Sequence, residues 1–268
     1  MQAEGAVVRG SGVGLPVSPR EAAPWWAALA LVGAAAWVYT IGQARDIGAG
    51  PGTMGMTFSF FVGMWVVMMA AMMLPAIGPQ AAGETLALGR SADITSRIAG
   101  VLSFGAGFLI PWAAYGVLAF FALKGTGHLA ESSPGVAKWL GVAIFAVAGV
   151  YQVSRLKYRA LVHCRMVMSH ATSDGSITRS VVSGARDGAM CVGCCWAIMA
   201  VFFAVGVMNV LAMALLAALI FVEKIAPRPR MVAGVGGVAF VGLAIAAAVH
   251  PSLLSGLHLG GMTMPGGM

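Results

Sequence analysis

Three of the four cysteines in this chain lie close together in the segment AMCVGCCWAIM, residues 189–199. Cys191, Cys194 and Cys195 have the spacing i, i+3, i+4, which places their side chains on one face of an α-helix. Thiolates that converge in this way suit a soft metal ion. Cu(I) and Zn(II) both accept thiolates, and Cu(I) also accepts thioethers. The segment therefore predicts a metal site, with copper preferred to zinc as the cofactor.

Two other interpretations of the same cysteines stay open. The spacing of Cys191 and Cys194 is that of a Cys-x-x-Cys motif, which lowers thiol pKa values in redox proteins. The chain would then be a membrane thiol oxidoreductase. Cysteine also packs as a small apolar residue, and in that case the chain would be a non-catalytic membrane scaffold subunit. Whether the chain catalyses a reaction is not decided by these residues.

Methionines supply further soft ligands in the segment MWVVMMAAMMLP, residues 64–75. On a helix, Met64, Met68 and Met72 form one row, and Met69 and Met73 form the adjacent row. Rows of thioethers can pass Cu(I) from one position to the next, although methionine also fills irregular space in a core. We take Met68 and Met72 as candidate metal ligands.

The polar stretch between residues 154 and 187 adds His163, Cys164 and His170. Cys164 is expected to join the three clustered cysteines. His163 is a further candidate ligand, although adjacent side chains of a regular helix rarely reach one ion. His170 is interpreted as a solvated loop histidine.

The composition places these residues in a membrane protein. The chain has 268 residues, of which 59% are hydrophobic and 9% charged, whereas globular proteins have about 25% charged residues. The expected fold is an all-α, polytopic transmembrane helix bundle with the lipid bilayer as its surroundings. The net charge of +7 does not indicate nucleic acid as a partner, because the basic residues lie between apolar runs.

A transmembrane helix needs about 20 apolar residues, and seven spans are predicted on this basis. Residues 1–24 are expected to form a disordered tail, residues 25–250 the bundle, and residues 251–268 a Met/His-containing C-terminal tail. The fifth and sixth spans divide one long apolar block at a turn, Gly206–Asn209. The predicted spans are Trp25–Ile41, Met56–Leu74, Ile98–Leu123, Val136–Val153, two short helices within Met190–Val222, and Met231–Val249.

The basic residues predict the orientation of these spans. Of the 16 Lys and Arg residues, 13 fall on the side of the N-terminal tail, and such residues accumulate in cytoplasmic loops. The chain is therefore expected to lie in the bacterial inner membrane with its N-terminus in the cytoplasm and its C-terminus outside. The cysteines would then face the cytoplasm.

The quoted motifs, with GVYQVSRLKYRALVHCR at residues 149–165 and FFAVGVMN at residues 202–209, resemble a bacterial domain family of unknown function. Its members are predicted metal-binding integral membrane proteins. The resemblance covers about residues 56–227 and implies a polytopic membrane protein with a metal site, but no established reaction. This chain has Val153–Ser154–Arg155 where the family commonly has proline. The predicted function is metal handling, by transport or by delivery to a membrane metalloenzyme, with that enzyme or a metallochaperone as partner.

Overall fold

The computed structural model describes residues 19–47, 52–78, 80–81, 93–165 and 176–257, and these residues form an all-α bundle without strands. The predicted all-α bundle is confirmed. His170 and residues 1–18 and 258–268, which hold most of the predicted tails, lie outside this description. The α-helices are α1 (Pro19–Ile47), α2 (Phe58–Met73), α3 (Ile94–Ser132), α4 (Pro134–Gln152), α5 (Arg155–Arg165), α6 (Ile177–Val205), α7 (Val210–Ile225) and α8 (Pro229–Val249).

Six helices in the described part of the chain are long and apolar enough to cross a membrane. They are α1, α2 with the short helical turn that follows it, α3, α4, α6 and α8. The sixth predicted span corresponds to α7, which has 16 residues. At 1.5 Å per residue it covers about 24 Å, less than the roughly 30 Å of a bilayer core.

The turn predicted within the long apolar block is confirmed. Helix α6 ends at Val205 and α7 begins at Val210. Gly206 has a φ of 89°, in the left-handed region that favours glycine. The side chain of Asn209 caps α7 by accepting a hydrogen bond from the amide of Ala212 at 3.0 Å. The two helices are therefore separated by local turn chemistry.

The fifth predicted span begins too late, because α6 starts at Ile177 and not at Met190. Its first turns pack against α3. A Cβ atom at Gly184 would collide with the carbonyl of Phe104, and one at Gly188 with the carbonyl of Phe108. Small residues allow such close approach between helices, so tertiary packing extends α6 through a polar stretch. The same polar stretch also contains α5 (Arg155–Arg165), which the apolar spans alone did not predict.

Contacts between helices fix their relative directions. Helix α2 runs antiparallel to α3, since Phe61 packs on Phe120 while Trp65 bonds the carbonyl of Trp112. Helix α3 runs parallel to α6. As a result, the last turns of α2, α4 and α7 lie with the first turns of α3, α6 and α8 at one end of the bundle, where α5 also lies. We call this the α5 end.

The first residues after α8 close the opposite end of the bundle. The hydroxyl of Ser255 donates to the carbonyl of Val205 at 2.6 Å, and the amide of Gly256 donates to the carbonyl of Ala204 at 3.0 Å. Leu254 and Leu257 are buried. Residues 251–257, the start of the predicted C-terminal tail, thus pack on the end of α6.

Candidate metal centre

Sulfur atoms from two helices converge in the interior of the bundle. The sulfurs of Cys164 on α5 and of Cys191 and Cys194 on α6 all lie within 4.8 Å of one another. The sulfur of Cys195 lies 3.2 Å from that of Cys194. All four are free cysteines. Ligands of one thiolate-bound ion sit about 2.3 Å from it, so their sulfurs are roughly 4 Å apart, and a small adjustment would let this cluster hold one ion.

Helix α5 presents Cys164 through its amphipathic pattern. Lys157, Leu161 and Cys164 form its buried face, with the spacing i, i+4, i+7 of a single helical stripe. The side-chain amide of Gln80 donates to the carbonyl of Cys164 at 2.9 Å. His163 lies on the exposed side of the same helix, with its ring near the carbonyl of Arg159. The structure therefore brings Cys164, and not His163, to the other cysteines.

Two tyrosines hold α6 from the neighbouring helices. The hydroxyl of Tyr151 donates to the carbonyl of Gly193 at 2.5 Å, and that of Tyr115 donates to the carbonyl of Trp196 at 3.0 Å. The indole of Trp196 packs edge-on against Tyr151, with ring centroids 5.0 Å apart. These contacts fix the height and rotation of the turn that carries the cysteines.

One methionine sulfur contacts the cysteines. The Sδ atom of Met73 lies 3.9 Å from the Sγ atom of Cys191. Met68 and Met72, the candidates taken from the sequence, are buried in α2 on the adjacent helical row. Met73 belongs to the methionine pattern but was not among the predicted ligands, because the pattern alone does not show which helical row faces α6.

A buried lysine lies against the cluster. The Nζ atom of Lys224 is 3.3 Å from the sulfur of Cys191 and 5.9 Å from the ring centre of Phe108. An isolated buried ammonium is costly and needs an anionic or strongly polar partner. If the cysteines bound a metal ion as thiolates, this ammonium would offset part of their negative charge. In the sequence, Lys224 stands with Glu223 at the end of the sixth predicted span and among the motifs that carry the family resemblance, but its contact with the cysteines could not be read from its position.

The residue before Lys224 belongs to a second buried polar group. The carboxylate of Glu223 accepts hydrogen bonds from Lys157 and Gln152, each at 2.7 Å, and Lys157 also donates to Gln152. Arg165 donates to the backbone carbonyl of Glu223 at 3.1 Å. These bonds tie α5 to α4 and α7. Breaking the network would be costly, because removal of one partner from a buried ion pair leaves an uncompensated charge. The network thereby positions Cys164.

A cavity of about 170 Å³ gives access to the cluster from the α5 end. Its lining includes Trp26, Gln80, Cys164, Arg165 and Lys224. Cys164 is 7% exposed, whereas the other three cysteines are at most 1% exposed. Its hydrogen bond with the Cys191 thiol, together with burial, raises the pKa of Cys164 to about 11.

Comparison with known proteins identifies the family. No curated protein and no solved structure matches the chain. The family model of the PpoB2 copper chaperones matches residues 62–247, which is more than half of the chain and includes all four cysteines. The match agrees with a cysteine group that could hold a metal ion. The chain belongs to the PpoB2 family of copper chaperones.

Proposed function

We propose that this protein is a membrane-embedded copper chaperone that binds one Cu(I) ion and delivers it to a copper-using enzyme. The observation that carries the proposal is the group formed by Cys164, Cys191 and Cys194, whose sulfurs lie within 4.8 Å of one another in a chain of a copper chaperone family. These three thiolates are the proposed ligands. Cys195 is the neighbouring thiol to which the ion can move.

The ligand set favours Cu(I) over zinc. In the described part of the chain, the candidate ligand atoms gathered at the proposed position are sulfurs, and one further sulfur beside them is the thioether of Met73. Thioether ligands select Cu(I), whereas zinc sites use thiolate, imidazole and carboxylate. His163, the nearest histidine in sequence, lies on the exposed side of α5.

A chaperone must also release its metal, and the cavity beside Cys164 supplies a route. Cys164 lines the cavity and is the most exposed of the four cysteines. In the proposed sequence, an incoming copper complex first meets Cys164. The ion then moves to Cys191 and Cys194 as these thiolates replace the ligands of the donor. Delivery reverses the order.

The burial of the cysteines weighs against the thiol oxidoreductase alternative. Redox-active cysteines are partly exposed so that a partner thiol or disulfide can reach them, but Cys191 and Cys194 are 0% exposed. Simple packing does not account for Lys224, because a core of apolar cysteines gives no reason to bury an ammonium 3.3 Å from a sulfur.

The membrane location and orientation are part of the proposal. Large apolar side chains such as Val38 and Val238 are exposed on the long helices, as expected for surfaces that face lipid. The α5 end carries most of the basic residues, which supports a cytoplasmic position for it. The metal site would then load from the cytoplasmic side.

Copper titration tests the proposed function. Purified protein in detergent, kept reduced and anaerobic, is titrated with Cu(I) against a chromophoric chelator, and bound copper is counted. We expect one tightly bound Cu(I) in the wild type and none in the C191S/C194S variant. Met213→Leu is the matched control, because Met213 is buried in α7 three turns away from Lys224. A wild type without bound copper, or a double variant with unchanged stoichiometry, would contradict the proposal.

A further inference from the structure

A second and larger cavity lies at the α5 end, between the last turn of α4, helix α5 and the first turn of α8. Its volume is about 680 Å³. The arginines Arg155, Arg159 and Arg230 line it together with the buried Lys157. Within the described part of the chain, no aspartate or glutamate lines this cavity. It is therefore a concave site with an excess of positive charge.

The charges in this cavity are not equivalent. The ammonium of Lys157 is buried and paired with Glu223 at 2.7 Å, so its charge is already compensated. The three arginines are exposed. Arg155 and Arg159 are four residues apart on α5, where like charges repel each other. An anion between these side chains would remove that repulsion.

One of the arginines is held in a defined orientation. The guanidinium carbon of Arg230 lies 3.7 Å from the ring centre of Tyr158. Stacking on an aromatic ring occupies the face of the guanidinium and leaves its N–H edge available for hydrogen bonds. That edge matches the oxygen atoms of a phosphate group. The cavity thus offers one oriented hydrogen-bond donor for a phosphate group, Arg230, beside two further arginines.

The surface next to the cavity is apolar. Val153, in the cavity wall, and Leu156, beside it at the start of α5, are each 66% exposed. Leu156 lies between Arg155 and Lys157 in the sequence, and Val153 lies two residues before Arg155. Arginines beside exposed apolar side chains are typical of the membrane interface, where the charged groups meet lipid headgroups and the apolar groups meet acyl chains.

We propose that this cavity binds the phosphate group of an anionic phospholipid from the membrane leaflet at the α5 end. Arg155, Arg159 and Arg230 contact the phosphate, and the acyl chains lie along Val153 and Leu156. The proposal rests on the proposed membrane location but not on copper binding. A bound lipid would connect α5, which carries Cys164, to α8.

Lipid titration followed by native mass spectrometry tests this site. The protein in a neutral detergent is titrated with phosphatidylglycerol or with phosphatidylcholine, and the dissociation constant of the first bound lipid is measured for each. We expect phosphatidylglycerol to bind at least tenfold more tightly. Each of the substitutions Arg155→Gln, Arg159→Gln and Arg230→Gln should weaken it about fivefold. Phosphatidylcholine binding should change little.

Lys124→Gln and Lys138→Gln are the matched controls, because these cations lie at the opposite end of the bundle and change the net charge equally. Equal binding of the two lipids would overturn the proposal. So would a phosphatidylglycerol preference that survives all three arginine substitutions or is lost in the lysine controls. If inorganic phosphate at the same concentration displaces the lipid, the cavity recognises a free anion and not a lipid headgroup. That outcome also overturns the proposal. Thermal unfolding of the same samples reports folding, and their copper stoichiometry tests the proposed function separately.

Discussion

The ammonium nitrogen of Lys224 lies 3.3 Å from the sulfur of Cys191, and both side chains are buried. The preceding residue, Glu223, is bound to Lys157 of α5. Two consecutive residues at the end of α7 therefore serve different groups. Lys224 lies against the sulfur cluster, and Glu223 anchors the helix that supplies Cys164. The metal centre thus depends on the last turn of α7, which itself supplies no sulfur ligand to the cluster.

Replacement of Lys224 by methionine should weaken Cu(I) binding. The substitution removes a positive charge beside thiolates in a low-dielectric interior, where such interactions are strong. We expect the affinity, measured by chelator competition, to fall by about tenfold or more. Lys224→Arg keeps the charge and is the control. An unchanged affinity in the methionine variant would show that the lysine has no electrostatic role at the site.

Replacement of Met73 by leucine should change copper binding without unfolding the protein. Exchanges between methionine and leucine conserve volume and usually cost less than about 1.5 kcal/mol of stability. The thioether near Cys191 is lost, so we expect a several-fold weaker Cu(I) affinity and a changed rate of transfer to a chelator. Met213→Leu, in an equally buried position, should leave both quantities unchanged. Equal effects of the two substitutions would argue against a role for Met73.

Replacement of Gly188 by alanine should destabilise the bundle. The added Cβ would meet the carbonyl of Phe108, and the resulting separation of α3 and α6 should cost about 1–3 kcal/mol. Gly234→Ala is the control, because nothing lies within 4 Å of a Cβ atom there and alanine favours a helix by about 1 kcal/mol. Thermal unfolding in detergent should show a lower Tm for the first variant and an equal or higher Tm for the second. The opposite order would contradict the packing described here.

Reporter fusions test the orientation. The distribution of Lys and Arg predicts that a reporter fused after Met268 is active outside the cytoplasm. A reporter inserted between α5 and α6, after Ser173, should be active in the cytoplasm. Activity of this inserted reporter on the outer side would place the α5 end, and with it the candidate metal centre, outside the cytoplasm and would contradict the proposed orientation.

Some features of the fold could be predicted from local sequence signals. The all-α class follows from the apolar composition, and the break between α6 and α7 follows from Gly206 and Asn209. The start of α6 could not be predicted in this way. Its first turns are polar and are held by the packing of Gly184 and Gly188 on α3. This tertiary packing cannot be predicted from the hydrophobicity of the segment.

The candidate site was accessible to sequence reasoning only in part. The shared face of Cys191, Cys194 and Cys195 follows from helical periodicity. The contact between Met73 and Cys191 depends on the rotation of α2, and the position of Lys224 depends on the packing of α7, so neither follows from spacing. Similarly, Cys164 points inward and His163 outward because α5 is an amphipathic helix, and the search for membrane-spanning apolar runs does not detect a helix of this kind.

X-ray absorption at the copper edge tests the central claim most directly. The protein is loaded with one Cu(I) per chain, and the extended fine structure gives the element and number of the atoms bound to copper. We predict sulfur alone, with three sulfur neighbours in the wild type and fewer in the Cys164→Ser variant. Nitrogen or oxygen neighbours in the wild type, or a spectrum unchanged by the loss of Cys164, would contradict a copper site built from Cys164, Cys191 and Cys194.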